Sequence, residues 1–247
     1  MYGIMRIEKR KAGALHGIHK ENNRSADMQL EFVRSDIDWE RTSKNIRLID
    51  SKNLLADVKK ELKSCGIEKW RKDAVLVVDG LYTASPEFFQ GMGEGRLYDF
   101  FMDCLEFHER TYGHTINAII HLDENTPHLH VQSVPIVQKP DGKYKLCAKE
   151  LMGGRGDYHK KQEAFYQQVG KRHGFDRGQV RDATHTREHL NTLEYKCKMA
   201  EDKIQTIEKK LGLIDKNIEM DRGWNTTKGW SRNHEISIDE RDYTWDV

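Results

Sequence analysis

Three histidines that lie close together in the sequence have the residue type and the spacing of a metal site. His128 and His130 are two residues apart, so on a β-strand both side chains point to the same face of the sheet. His121 comes seven residues before His128, and a short hairpin turn brings it beside them. Three imidazoles on one face can bind a divalent first-row metal ion and leave coordination positions open for a substrate.

Two carboxylates in the intervening turn, Asp123 and Glu124, extend this pattern. Each can orient an imidazole by accepting its second N–H, and Glu124 can instead bind the metal ion directly. One histidine on a strand is usually only a polar residue of the sheet. Three with this spacing beside an Asp-Glu pair predict a metal site, although the spacing does not distinguish hydrolysis, oxygenation and phosphoryl transfer.

Two predicted strands, residues 115–122 and 128–137, position the histidines, and residues 123–127 have the length of a hairpin turn. A β-branched, apolar run at 74–83 predicts another buried strand, and residues 144–147 predict a short one. Leucine and valine side chains share one helical face within 51–64. Ser85-Pro86 favours a helix start, and further helices are predicted at 97–112 and at about 158–172. This order of elements indicates an α+β fold.

The C-terminal third of the chain has a different pattern. Two apolar series, one from Leu190 to Ile218 and one from Leu193 to Ile214, each repeat every seven residues and interleave as a heptad seam. The seam predicts a long helix that forms a homodimeric coiled coil or docks its stripe on the rest of the chain. We therefore divide the chain into residues 1–182, a heptad helix at 183–219 and a polar, poorly ordered tail at 220–247.

Composition excludes some classes of protein. No apolar run is long enough to cross a membrane, and the first residues do not form a secretory signal, so the expected location is the cytoplasm. Lys and Arg number 41 and Asp and Glu 40, and the formal net charge of +1 taken alone argues against a nucleic-acid-binding protein. The charge is unevenly distributed, however. Residues 1–24 carry +4 and residues 143–188 carry +5, which permits local basic surfaces.

The stretch from His121 to His130 resembles the HxDExxPHxH signature of the Mob/Pre family, whose members are also called MobV relaxases and belong to the HUH endonuclease group. Further matches occur in the family's order over roughly residues 1–180. They are Met5–Gly13, Asp36-Ile-Asp38 with Arg41-Thr42 and Asn45, Arg71–Val75, Thr83–Ser85 with Phe88-Phe89, and Ala148-Lys149. The ordered set is far more specific than the histidine motif alone.

The resemblance implies an antiparallel sheet flanked by helices, with the metal site on its central strands. It also implies an activity, in which one strand of plasmid or mobile-element origin DNA is cut, held through its 5′-phosphate and later rejoined. His121, His128 and His130 are then the metal ligands and Glu124 supports the site. Arg24 neutralises a phosphate oxygen or holds the nucleophile. We expect Mn²⁺ rather than Mg²⁺, since imidazole suits the softer ion, but Mg²⁺ stays possible.

The nucleophile is where this sequence departs from the best-known pattern of the family. One branch carries H-N-x-R near the N-terminus, and the position of its histidine is Glu21 here. Glu21 can attack the phosphate, or it can activate a water molecule and make the protein a hydrolytic nickase. His19 is the main alternative nucleophile, with His16 and a tyrosine elsewhere as others. On a strand His19 shares the face of Glu21, whereas on a helix it does not.

Contacts with DNA are also inferred from the resemblance and from charge. Tyr112 stands where the family has a tyrosine implicated in DNA binding, and its alternative role is to end a helix. The basic and polar side chains expected to contact the phosphate backbone are Arg41, Asn45, Lys72, Lys149 and Arg155.

Three other functions stay open at this stage. A protein of the same fold can bind an origin or a promoter without cutting it. This function stays open because the sequence departs from the H-N-x-R pattern of the family at Glu21. A three-histidine metalloenzyme can act on a small molecule, but the basic N-terminal segment then has no use. A purely structural helical adaptor leaves the histidine cluster unexplained.

Overall fold

The computed structural model describes residues 1–25, 37–154 and 156–177, together with six helical positions between 201 and 209. Its main element is a five-stranded sheet in the order β1-β3-β5-β4-β2, in which every neighbouring pair is antiparallel. The strands are β1 (Gly3–Lys11), β2 (Ile46–Ile49), β3 (Val75–Ala84), β4 (His114–His121) and β5 (His128–Val134). The predicted antiparallel sheet flanked by helices is therefore confirmed.

One predicted strand is wrong in its extent. The run 128–137 is divided at Pro135, because proline has no N–H to donate to the ladder. β5 ends at Val134, and the chain continues into a separate two-stranded hairpin of β6 (Ile136–Gln138) and β7 (Tyr144–Leu146). β5 therefore carries His128 and His130 and ends at Val134. β6 and β7 form a hairpin outside the five-stranded sheet.

Within residues 1–177, the described stretches contain six helices. They are α1 (Leu15–Asn22), α2 (Leu54–Ser64), α3 (Pro86–Phe89), α4 (Glu94–Tyr112), α5 (Ala148–Met152) and α6 (Asp157–Phe165), with 3₁₀ turns at Ala12–Ala14 and Trp39–Lys44. The helix predicted to reach residue 172 changes to a π-helical turn at Tyr166–Gly170, where a Cβ on Gly170 would meet the Tyr166 ring at 2.9 Å. Ser85 precedes α3 as expected, but its hydroxyl accepts from the Tyr2 N–H instead of capping the helix.

The two faces of the sheet are covered by different helices. On one face, aromatic side chains of α4 and α6 pack on β3, β4 and β5. On the other, Leu54, Val58 and Leu62 follow each other at one-turn spacing along α2 and pack with Leu15 of α1 on Val77. His128 and His130 alternate with Leu129 and Val131, so the histidines share the face of α1 while the apolar pair faces α4.

The predicted heptad helix and polar tail lie almost wholly outside the described residues, so the C-terminal coiled coil stays a prediction. Two of its seam positions, Ile204 and Ile207, are helical and 55% and 56% exposed. By contacts the chain divides into Met1–Val180 and Arg181–Val247. A search of the described helices finds none long and apolar enough to cross a membrane.

Candidate metal centre

Pairing between two strands brings the three histidines together. His121 at the end of β4 lies directly opposite His128 at the start of β5, and His130 follows two residues later on the same face. The ring centroids are 5.0 to 5.1 Å apart. One nitrogen of each ring lies within 4.8 Å of the others, which is close enough for a single metal ion to contact all three. The arrangement predicted from spacing is therefore present.

Backbone carbonyls orient two of these rings. His121 Nε2 lies 2.7 Å from the Asn22 carbonyl oxygen, and His128 Nδ1 lies 2.9 Å from that of Thr126. A carbonyl can only accept, so these nitrogens carry the protons, and the lone pairs lie on His121 Nδ1 and His128 Nε2. These two atoms face each other at 3.3 Å. Two imidazole lone pairs that converge in this way can bind one ion together, so the donor set fits a metal ion.

Burial keeps His121 and His130 in the form that binds metal. Burial, together with the nearby positive charge of Arg24, lowers the pKa of His121 to about 3. Burial also lowers the pKa of His130 well below its ordinary value, and the two neighbouring histidines add to this effect. A neutral imidazole offers a lone pair at neutral pH, whereas a protonated one does not.

The Arg24 side chain contacts both turn carboxylates, a carbonyl of α1 and one of the three histidines. Its guanidinium binds the Asp123 carboxylate through Nε and Nη2 at 2.9 and 3.0 Å and Glu124 Oε1 through Nη2 at 2.6 Å. Nη1 donates to the Glu21 carbonyl oxygen at 3.0 Å, and Nη2 lies 3.1 Å from His121 Nδ1. Although burial disfavours the charge, the hydrogen bonds with Asp123 raise the pKa of Arg24. A permanent cation is thus held beside the lone pair that a metal ion needs.

The backbone of Arg24 is also unusual. Its φ of 50° lies in the left-handed region, and among the described residues other than glycine it alone has a positive φ. It follows Asn23, the C-cap of α1, at a position where glycine is the common residue, and for a side chain this conformation costs about 1–3 kcal/mol. The strain is tolerated because the turn directs the guanidinium at Asp123.

The Asp123 carboxylate accepts hydrogen bonds from three other residues of the site. It is fully buried, and besides Arg24 its carboxylate accepts from Thr42 Oγ1 at 3.0 Å and from Asn45 Nδ2 at 2.8 Å. Burial alone would raise the pKa of Asp123, but the hydrogen bonds from Arg24 and Asn45 hold it well below its usual range. The sequence pattern suggested Asp123 only as one of two turn carboxylates. Its contacts with residues some eighty positions earlier could not be read from spacing.

Glu124 lies nearer to the histidines. Its Oε1 is 3.8 Å from His128 Nε2 and 2.6 Å from Arg24 Nη2, and its side chain is 23% exposed. His121, Asp123 and Glu124 also place one ligand atom each within 4.8 Å of one another. Glu124 can therefore contribute an oxygen to the ion that the histidines hold.

The two candidate nucleophiles have different surroundings on α1. Because α1 is a helix, His19 does not share the face of Glu21. His19 lies in a small polar pocket with Asn23, Arg47 and residues 50–52, which contains none of the three histidines. Glu21 is half-buried, and its carbonyl oxygen binds Arg24 directly. The choice between Glu21 and His19 as the nucleophile stays a prediction.

The residues expected to contact DNA differ in their exposure. Arg41, Lys72 and Lys149 are exposed and available to a phosphate backbone, whereas Arg155 lies outside the described residues. Tyr112 is fully buried, its hydroxyl 4.0 Å from Met5 Sδ, which favours its alternative role at the end of α4.

Asn45 uses both ends of its amide within the site, donating to Asp123 and accepting from the Leu122 N–H at 2.7 Å. These contacts favour a positioning role for Asn45 rather than a DNA contact.

Comparison with known proteins connects this site to one group. The model of the family Mob_Pre, described as plasmid recombination enzyme, matches residues 1–197. The chain is 33% identical over 203 residues to plasmid recombination enzyme type 1 of Staphylococcus aureus, covering 79% of this chain and 48% of that relative. It is 35% identical over 205 residues to the type 3 enzyme of Staphylococcus aureus, covering 80% of this chain and 48% of that relative. The chain therefore spans about half the length of these relatives.

Solved structures agree in fold. The relaxase domain of MobM, crystallised with manganese and oriT DNA of plasmid pMV158, matches with a TM-score of 0.67 and 28% identity. The match covers 81% of this chain and all of that domain. A second crystal structure of the same domain with manganese and oriT DNA matches with a TM-score of 0.65, covering 79% of this chain and 98% of that one.

Proposed function

This chain belongs to the Mob_Pre family of plasmid recombination enzymes, and from that premise we propose that it is a relaxase that cuts and rejoins origin DNA. The substrate is one strand of plasmid or mobile-element DNA, single-stranded or in a hairpin, and the chemistry is metal-assisted transesterification. The observation that carries this proposal is the convergence of the His121 and His128 lone pairs, 3.3 Å apart, beside the Arg24 guanidinium.

The donor set suits manganese, with magnesium as the alternative, and the similar MobM domain was crystallised with manganese. A bound divalent ion would supply positive charge to a non-bridging oxygen of the scissile phosphate. His121, His128 and His130 hold the ion, and the carbonyls of Asn22 and Thr126 keep two of these rings turned toward it. Arg24 adds a second fixed positive charge, which stabilises the negative charge that develops on the oxygens of the scissile phosphate during attack.

We assign the attack to Glu21. A carboxylate oxygen of Glu21 forms a bond to phosphorus while the bond from phosphorus to the preceding 3′ oxygen breaks. The electron pair of the broken bond stays on the 3′ oxygen, which takes a proton from water and becomes a 3′-hydroxyl. The product is an acyl phosphate that joins Glu21 to the 5′ end. Rejoining is the reverse, in which a 3′-hydroxyl loses its proton to water, attacks phosphorus and releases the carboxylate.

Substitution of His128 tests the proposal. We expect His128→Ala to lower nicking of the supercoiled DNA of the encoding element by about a thousandfold or more, since it removes a metal ligand. His114→Ala is the matched control, because His114 also lies on the sheet but its side chain is 56% exposed and contacts only Glu61 and Glu109. Unchanged nicking by His128→Ala would contradict the proposal.

The attacking residue is identified separately, by peptide mass mapping of a trapped adduct between the protein and an oligonucleotide. An adduct on Glu21 supports the assignment, and an adduct on His19 overturns it. Nicking by the wild type without any adduct indicates that Glu21 activates water. Tight binding of the wild type without nicking indicates the alternative function, an origin- or promoter-binding protein of the same fold.

A further inference from the structure

An open groove of about 740 Å³ lies at the start of β3, away from the histidines. Three segments line it: Lys9 on the edge strand β1, residues 66–71 and 74–75 between α2 and β3, and residues 139 and 144–149 around β7 and the start of α5. These segments are far apart in the sequence and meet only through the fold. None of the groove residues other than Lys149 was expected to contact a ligand.

The walls of the groove are strongly basic. Among its lining residues one is acidic, Glu68, and six are basic, namely Lys9, Lys69, Arg71, Lys139, Lys145 and Lys149. Three of the basic residues are paired with an acidic residue: Arg71 with Asp73, Lys139 with Asp141 and Lys145 with Glu150. For Lys9, Lys69 and Lys149, the described part of the chain offers no carboxylate within ion-pair distance. Clustered positive charge along a groove attracts a polyanion.

Two aromatic side chains lie among these charges. Tyr144 is 44% exposed, which is high for a large apolar ring, and Trp70 is half-buried with part of its side chain against the core of α2. Unpaired bases stack on such rings regardless of sequence, whereas bases within a duplex are already stacked on their neighbours. Lysines beside exposed aromatic rings are the combination that binds a single strand.

The sheet connects the groove to the metal centre. Val75 of β3 lines the groove, and Leu81, six residues further along the same strand, lies opposite His130. Six residues of a strand span about 20 Å. An unpaired strand is more extended than a strand of B-form DNA, whose rise is about 3.4 Å per nucleotide, so fewer than about six nucleotides cover this distance.

We propose that this groove binds single-stranded DNA about 20 Å from the phosphate at the metal centre. Lys9, Lys69 and Lys149 contact phosphates, and Tyr144 and Trp70 stack on bases. The proposal rests on the proposed function only for the identity of the strand, because the groove itself can bind any unpaired strand. It would therefore hold the DNA whether or not the metal centre is loaded.

The test measures binding of a fluorescent twenty-nucleotide oligo-dT to the full chain in EDTA, by anisotropy, over a range of salt concentrations. The triple variant Lys9→Ala, Lys69→Ala, Lys149→Ala should reduce the slope of log affinity against log salt by about 2, because each contact with a single strand contributes about 0.7. Tyr144→Ala should weaken binding about tenfold through lost stacking. Its ring is exposed, so this variant should fold normally.

The matched control removes three lysines from the exposed side of α2, with Lys59→Ala, Lys60→Ala and Lys63→Ala. It lowers the net charge equally without touching the groove. Equal losses in control and groove variants, or groove variants that bind like the wild type, would overturn the proposal. So would a duplex of the same length that competes as well as oligo-dT. A crosslink from a 5-iodouracil oligonucleotide to Tyr144 or Trp70 supports it.

The two proposals fail separately. If the wild type never nicks DNA but the groove variants lose oligo-dT binding as expected, the proposed function fails and the groove stands. If His128→Ala abolishes nicking but the groove variants bind normally, the groove proposal fails alone.

Discussion

Buried histidines lie on both faces of the central sheet, and the two faces use them differently. On the α1 face, His121 and His128 direct their lone pairs at each other beside a cation. On the α4 face, His108 is fully buried, and its Nδ1 lies 2.9 Å from the Tyr82 hydroxyl. It fits there because β3 has Gly80 at this point, where a Cβ would lie 2.6 Å from His108 Nδ1. Burial alone therefore does not identify a metal ligand, whereas convergence of lone pairs does.

The largest effect expected after loss of a ligand is at Asp123. We expect Asp123→Asn to weaken Mn²⁺ binding about 10–100-fold, because the amide cannot accept both hydrogen bonds of Arg24 and the residues behind metal ligands usually contribute this much. Calorimetric titration of Mn²⁺ in the absence of DNA measures the change. Asp50→Asn serves as the control, since Asp50 pairs with Arg47 and Lys52 at the surface. Equal affinity of wild type and Asp123→Asn would show that Asp123 does not position the centre.

The buried histidine of the opposite face should affect stability rather than metal binding. Burial lowers the pKa of His108 to about 3, below the ordinary value of 6.5, so the unfolded chain binds the proton more readily. Above about pH 6.5 His108 is neutral in both states and does not lower the free energy of unfolding. As the pH falls from 6.5 toward 3, the unfolded chain takes up the proton and the free energy of unfolding decreases. Between pH 6.5 and 5 the loss is about 2 kcal/mol.

His108→Gln should reduce the pH dependence of the unfolding free energy by about this amount, because glutamine does not titrate and can still bond to Tyr82. The buried His121 and His130 keep their share of the pH dependence. Urea unfolding at pH 7.5 and pH 5 of the variant, the wild type and a His16→Gln control measures the difference. The comparison of the two faces breaks down if His108→Gln weakens Mn²⁺ binding or keeps the wild-type pH dependence.

The smallest effect is expected at Tyr112. Its hydroxyl makes only a 4.0 Å contact with Met5 Sδ, so Tyr112→Phe should change stability by less than about 1 kcal/mol and leave DNA affinity unchanged. Anisotropy with labelled origin DNA and thermal unfolding measure both quantities. A several-fold loss of DNA affinity would indicate that Tyr112 contacts DNA. That contact would require α4 to move away from the sheet.

Periodicity was sufficient for the elements that carry the site. Alternation placed His128 and His130 on one face, and the short turn brought His121 beside them, as the structure confirms. The strand boundary at Pro135 was missed although the residue itself signals it, because an apolar run continued beyond the proline. At the π-helical turn after α6, Gly170 lies close to the Tyr166 ring, a contact that no sequence periodicity predicts.

The rest of the site depends on contacts between residues distant in sequence. Asp123 meets Thr42 and Asn45 only because the 3₁₀ turn before β2 packs against the β4–β5 turn. Arg24 reaches the same carboxylate through a backbone conformation that sequence patterns assign to glycine. The basic groove likewise assembles from three segments that are far apart in the sequence.

The left-handed backbone at Arg24 has a consequence for how copies of this protein drift over generations. Glycine at position 24 would relieve the conformational cost, but it would leave the buried Asp123 carboxylate without its guanidinium, and breaking a buried ion pair usually costs about 3–5 kcal/mol. Drift toward glycine is therefore opposed by stability as well as by the reaction. A related chain that has lost the reaction should replace Arg24 only together with Asp123.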